Sequence, residues 1–77
     1  MNEHAENDAG PRETLARIEE HVRSRLAGLL RDFQLGFRDN GLVLRGHAHT
    51  YFAKQLAQHV VMAASSSPIR ANELEVP

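Results

Sequence analysis

Apolar residues along this chain repeat first at helical, then at strand spacing, and the switches mark out five elements. Leu15, Ile18, Val22, Leu26, Leu29 and Leu30 recur every three or four residues, forming one stripe of a helix predicted over 11–31. Pro11 suits its first turn, where a missing N–H is harmless. Glu13 precedes Arg17 by four and Glu19 precedes Arg23 by four, so these charges read as a solvated face. Phe33, Leu35 and Phe37 then alternate with Gln34, Gly36 and Arg38, as in a half-buried strand. A second strand follows, with Leu42, Leu44, Gly46 and Ala48 on one face and Val43, Arg45, His47 and His49 on the other. Thr50 can cap a second helix running to about Ala64. Phe52, Leu56, Val60 and Ala63 make its predicted stripe; Ala53, Ala57 and Ala64 beside them permit close approach to a neighbour. Lys54, Gln55, Gln58 and His59 fall on its wet side, and Ser65 to Pro68 end it. Ile69 to Val76 reads as the last strand, with Asn72, Leu74 and Val76 facing inward and Ala71, Glu73 and Glu75 outward.

Asn40-Gly41 is a two-residue hairpin signal, because both residues tolerate the positive φ of a type I′ turn. That loop sets Phe37 opposite Leu44, Leu35 opposite Gly46, Phe33 opposite Ala48 and Gln34 opposite His47. Opposed residues share a face, so both strands bury the same side. The expected fold is α+β: a two-layer αββαβ sandwich, its three-stranded sheet packed on one face by both helices. The other sheet face is left open, and the last strand can flank either member of the hairpin.

Composition narrows the classes. Seventy-seven residues make one small domain, expected over 11–77, after a polar and disordered lead-in over 1–10. No cysteine is present, which excludes disulfides and thiolate metal sites. A formal charge of −1 gives no electrostatic case for a nucleic acid partner. No basic segment followed by an apolar run opens the chain, so no signal peptide is read and a cytoplasmic location is expected. No apolar run approaches the roughly 20 residues of a membrane span.

The order and spacing of these residues carry a resemblance. Asp39-Asn40-Gly41-Leu42-Val43-Leu44-Arg45-Gly46-His47-Ala48-His49-Thr50, then Lys54 and Ala57, then Asn72-Glu73-Leu74-Glu75-Val76 resemble a BON domain, the bacterial module named for osmotic-shock and nodulation proteins. Asn40 stands where the family usually has glycine, Ala48 replaces a larger β-branched residue, and Ser66-Ser67-Pro68-Ile69 replaces a Gly-Val entry to the last strand. The resemblance implies an αββαβ fold, no enzymatic activity, and binding of phospholipid or another envelope component; no cofactor is expected. It also implies relatives that are often periplasmic.

Candidate chemistry sits mainly on the open sheet face. Arg38 and Arg45 could hold a phosphate or carboxylate headgroup, or pair across strands with Glu73 and Glu75, and the pairing is the stronger expectation. His47 and His49 share a face, but two ligands do not close a metal site, so exposed polar residues are expected rather than a metal centre. His4, His21 and His59 read as surface residues. Asn40, Gly41, Gly46 and Asn72 are structural, with the Asn72 amide expected to satisfy backbone near a turn. Tyr51, Val61 and Met62 edge the second helix's stripe, as the margin of the core or a small docking patch. No nucleophile elbow or phosphate loop appears, and the Gly41 to Gly46 stretch lies within a hairpin. The leading expectation is a non-enzymatic module that engages phospholipid headgroups or envelope partners through Arg38, Arg45, His47 and His49. The alternative is a protein–protein or self-association module that uses exposed strand edges and the second-helix patch.

Overall fold

The structure, a computed structural model, describes residues 11–77, with side chains from Thr14 onward. The 1–10 lead-in with His4, and the Glu13–Arg17 pair, lie outside the described residues. Helix α1 (Pro11–Arg25) leads into strand β1 (Leu30–Arg38), then β2 (Gly41–Ala48), helix α2 (Tyr51–Ala64) and β3 (Ile69–Asn72). The fold is α+β: two helices with a three-stranded mixed sheet of order β1-β2-β3. Strand β1 runs antiparallel to β2, and β3 runs parallel to it. One core joins Ile18, Val22 and Leu26 to Leu35, Leu42, Leu44 and Leu74 of the sheet side and to Ala53, Ala57 and Val61 of α2. Both helices therefore cover the same sheet face.

Four expectations are corrected. The first helix ends at Arg25, not 31. Gly28, at φ +87, turns the chain in the left-handed region, and Leu30 is taken over as the first residue of β1.

The hairpin turn is Asp39-Asn40, not Asn40-Gly41. Asp39 and Asn40 carry the positive φ values, 54 and 63, and Arg38 pairs with Gly41. Phe37 therefore faces Leu42, Leu35 faces Leu44, and Gln34 faces Arg45. These three partners move by two residues, which leaves their side chains on the expected face, whereas Ala48, expected opposite Phe33, pairs with Leu30. Gly41 serves closeness instead: a Cβ there would run into the Arg70 side chain and lie 3.0 Å from the Pro68 carbonyl. Between Arg31 and Gln34 a bulge shifts the register, so Arg31 rather than Gln34 faces His47. Gly46 accommodates that bulge, at φ +127 and with room for a Cβ denied by the Asp32 carbonyl at 2.6 Å.

Helix α2 is rotated from its expected stripe. Ala53, Ala57 and Val61 are buried, while Phe52 is 70% exposed and Ala63 is also exposed. The alanines let the helix sit close to the sheet, which pushes the larger side chains to its flank. Val61 belongs to the core proper, whereas Tyr51 and Met62 are exposed.

The last strand is regular only to Asn72, but its pairing continues past it. Glu73 N–H donates to the Leu44 carbonyl at 2.8 Å, and Glu75 N–H to that of Gly46 at 3.0 Å. Ala48 N–H in turn donates to the Glu75 carbonyl at 2.9 Å.

Candidate anion-binding face

Strand alternation and the parallel register place Arg38, Val43, Arg45, His47, Glu73 and Glu75 on the sheet face away from the helices. Arg38 lies on β1 and Glu73 beyond β3, so the Arg38 arm crosses the central strand. It ends with Nη2 at 3.0 Å from Glu73 Oε2. Arg45, from β2, brings Nε to 3.4 Å from Glu73 Oε1. Two guanidiniums from different strands thus grip one carboxylate. The hydrogen bond from Arg38 holds the Glu73 pKa below its ordinary value, and the charges of Arg38 and Arg45 act in the same direction.

Beneath these arms the face is drier than alternation suggests. Val43 points outward yet is only 2% exposed. It shares a depression of about 280 Å³ with Gln34, Gly36, Arg38 and Arg45. Arg38 and Arg45 line the same depression, and Arg commonly lays its aliphatic stem on apolar surface while the charged head stays in water.

The four expected ligand residues do not form one site. His47 and His49 line a second depression of about 280 Å³ at the end of the sheet, with Arg31, Glu75 and Val76. His47 Nε2 lies 3.4 Å from Glu75 Oε1. Among the described residues no group of three or more His, Cys, Asp or Glu is placed to hold a metal ion. Arg31 escaped sequence reasoning because the bulge that turns it toward His47 leaves no signal beyond Gly46.

The structural residues are tied in firmly. The Asn72 amide donates to the Lys54 carbonyl at 3.0 Å and to Gln58 Oε1 at 3.2 Å, and its Oδ1 accepts from Leu74 N–H at 3.2 Å. One side chain thereby joins the end of β3 to α2. Arg70 Nε donates to the Asp39 carbonyl at 2.9 Å, fastening the hairpin turn to β3. Thr50 Oγ1 accepts from Ala53 N–H at 3.0 Å, the expected helix cap.

Among the described residues no helix is long and apolar enough to cross a membrane. Comparison of the chain with family models, curated proteins and solved structures finds no match.

Proposed function

We propose that the chain is a non-enzymatic binding module, BON-like in plan, that engages phospholipid headgroups or other anionic envelope components through its open sheet face. One observation carries this reading. Arg38 and Arg45 converge from separate strands on the same carboxylate, at 3.0 and 3.4 Å, the arrangement by which paired guanidiniums recognise carboxylate and phosphate oxygens. The test is cosedimentation with vesicles of phosphatidylglycerol against vesicles of phosphatidylcholine. Binding restricted to the anionic vesicles, and lost in the Arg38→Ala/Arg45→Ala double variant, is the expected result. Equal binding by the double variant refutes the reading.

A second reading has its own observation. Tyr51 is 63%, Phe52 70% and Met62 55% exposed on α2, a large apolar exposure for so short a helix. A protein–protein or self-association module uses these exposed side chains. Sedimentation velocity over a hundredfold concentration range separates the two readings, because self-association moves the sedimentation coefficient and headgroup binding does not.

A further inference from the structure

The interior of β1 carries a glycine that the backbone does not require. Gly36 has no left-handed φ, and among the described residues a Cβ built on it meets nothing within 4 Å. Gly41 and Gly46 are each explained by a close neighbour, Arg70 and the Asp32 carbonyl. Gly36 has no such explanation among the described residues. A glycine inside a strand weakens it and often marks the place where a ligand or another backbone comes close. Gly36 faces Val43 across the hairpin, in the open-face depression whose other walls include Gln34, Arg38 and Arg45.

At the rim of that depression the Arg38–Glu73–Arg45 cluster holds an anion already, the chain's own carboxylate. Glu75 is engaged elsewhere, beside His47. We infer that the depression over Gly36 and Val43 is the seat of a phosphate-type anion, and that Glu73 is its built-in competitor. The ligand's phosphoryl oxygens replace the Glu73 carboxylate on Arg38 and Arg45, and the ligand body lies over Gly36, beside the buried Val43. This rests on the anionic-ligand reading above and names its ligand class and its control.

Competition decides the class. A tethered carboxylate acts at a high effective concentration. A free monocarboxylate offers the same charge and the same two oxygens, so it loses. A phosphate monoester offers about −1.5 to −2 charge and three strong acceptor oxygens, so it can win. A monoester lipid headgroup, as in phosphatidic acid, and inorganic phosphate share that chemistry.

The experiment is an amide and guanidinium NMR titration of the full chain with three probes: inorganic phosphate, monomeric dihexanoyl phosphatidic acid, and acetate. Shifts at Gly36, Val43 and Arg45 are expected with phosphate probes and not with acetate. A response to inorganic phosphate identifies a free-phosphate site, and a response to the short-chain lipid alone identifies a headgroup site. Glu73→Gln removes the competitor and is expected to tighten phosphate-probe binding about tenfold. Gly36→Val fills the depression and is expected to abolish the shifts while the spectrum keeps its dispersion. Gly36→Ala serves if the valine variant does not fold, and is expected to weaken binding. Unchanged affinity in Glu73→Gln, intact shifts in the Gly36 variants, or an equal response to acetate overturns the inference. If anionic vesicles still bind through Arg38 and Arg45 in that case, the broader binding reading stands. Failure of every probe and of the vesicles removes both.

Discussion

Glu19 of α1 accepts a hydrogen bond from the backbone N–H of Leu35 at 2.7 Å, on the outer edge of β1. Arg23, one turn on, bonds the Phe33 carbonyl at 3.0 Å and Glu19 at 3.3 Å. An edge strand with free backbone groups is a template for pairing with another chain. Here a helix supplies two side chains in place of a fourth strand. The edge that self-association was expected to use is thus partly closed.

Glu19→Ala leaves the Leu35 N–H without its partner. The expected loss is about 1–3 kcal/mol of unfolding free energy by urea denaturation. Because the substitution also reopens the edge, the variant should self-associate at concentrations where the parent chain does not. Unchanged stability and unchanged sedimentation would show the contact to be incidental.

Two glycines in the hairpin should respond in opposite directions. Gly46→Ala places a Cβ against the Asp32 carbonyl at a φ of +127, and should cost roughly 1–3 kcal/mol or more. Gly36→Ala meets no neighbour among the described residues, and should be neutral or stabilising by up to about 1 kcal/mol. Thermal unfolding of the pair decides it, and a similar loss in both would contradict the geometry.

Asn72→Ala removes the ties to Lys54, Gln58 and Leu74 together. A loss of about 1–3 kcal/mol is expected, with amide exchange accelerating in the 69–76 segment before it does in the hairpin. Uniform acceleration would mean that the segment does not hang on this side chain.

The depressed Glu73 pKa has a signed consequence. A carboxylate with a lower pKa in the folded state contributes stability above its unfolded value, and loses that contribution as pH falls through the folded one. The window therefore lies at and below the ordinary glutamate value of 4.5. A carboxyl-carbon NMR titration should give Glu73 a midpoint below that value, and Arg38→Ala should raise it, since the Arg38 hydrogen bond is the largest cause.

What the sequence disclosed follows from which signals are local. Alternation places the side chains of β2, and of β1 from Gln34 to Arg38, on their faces even though the turn is off by one, since moving the loop one residue shifts partners by two. The bulge at Arg31 to Gln34, the end of α1 and the rotation of α2 depend on tertiary contacts. Gly28 hinted at the second, and the alanines at 53 and 57 at the third. The joint grip of Arg38 and Arg45 on Glu73 needed the strand order, which only the parallel placement of β3 beside β2 decides. Glu19 looked like a solvated charge because helical spacing cannot show that a strand edge lies beside it.

Strand β2 is shared between a neighbour two residues away along the chain and one reached only after an intervening helix. These partnerships close loops of very different length, so they should form at different times. The hairpin can zip locally, whereas β3 has no surface to join until β2 is in place and α2 has turned the chain back. The closing strand is then the late step of assembly. Transition-state φ-values should be high for Leu35 and Leu44 and near zero for Leu74. Substitutions in the closing segment would consequently speed unfolding while leaving the refolding rate almost untouched.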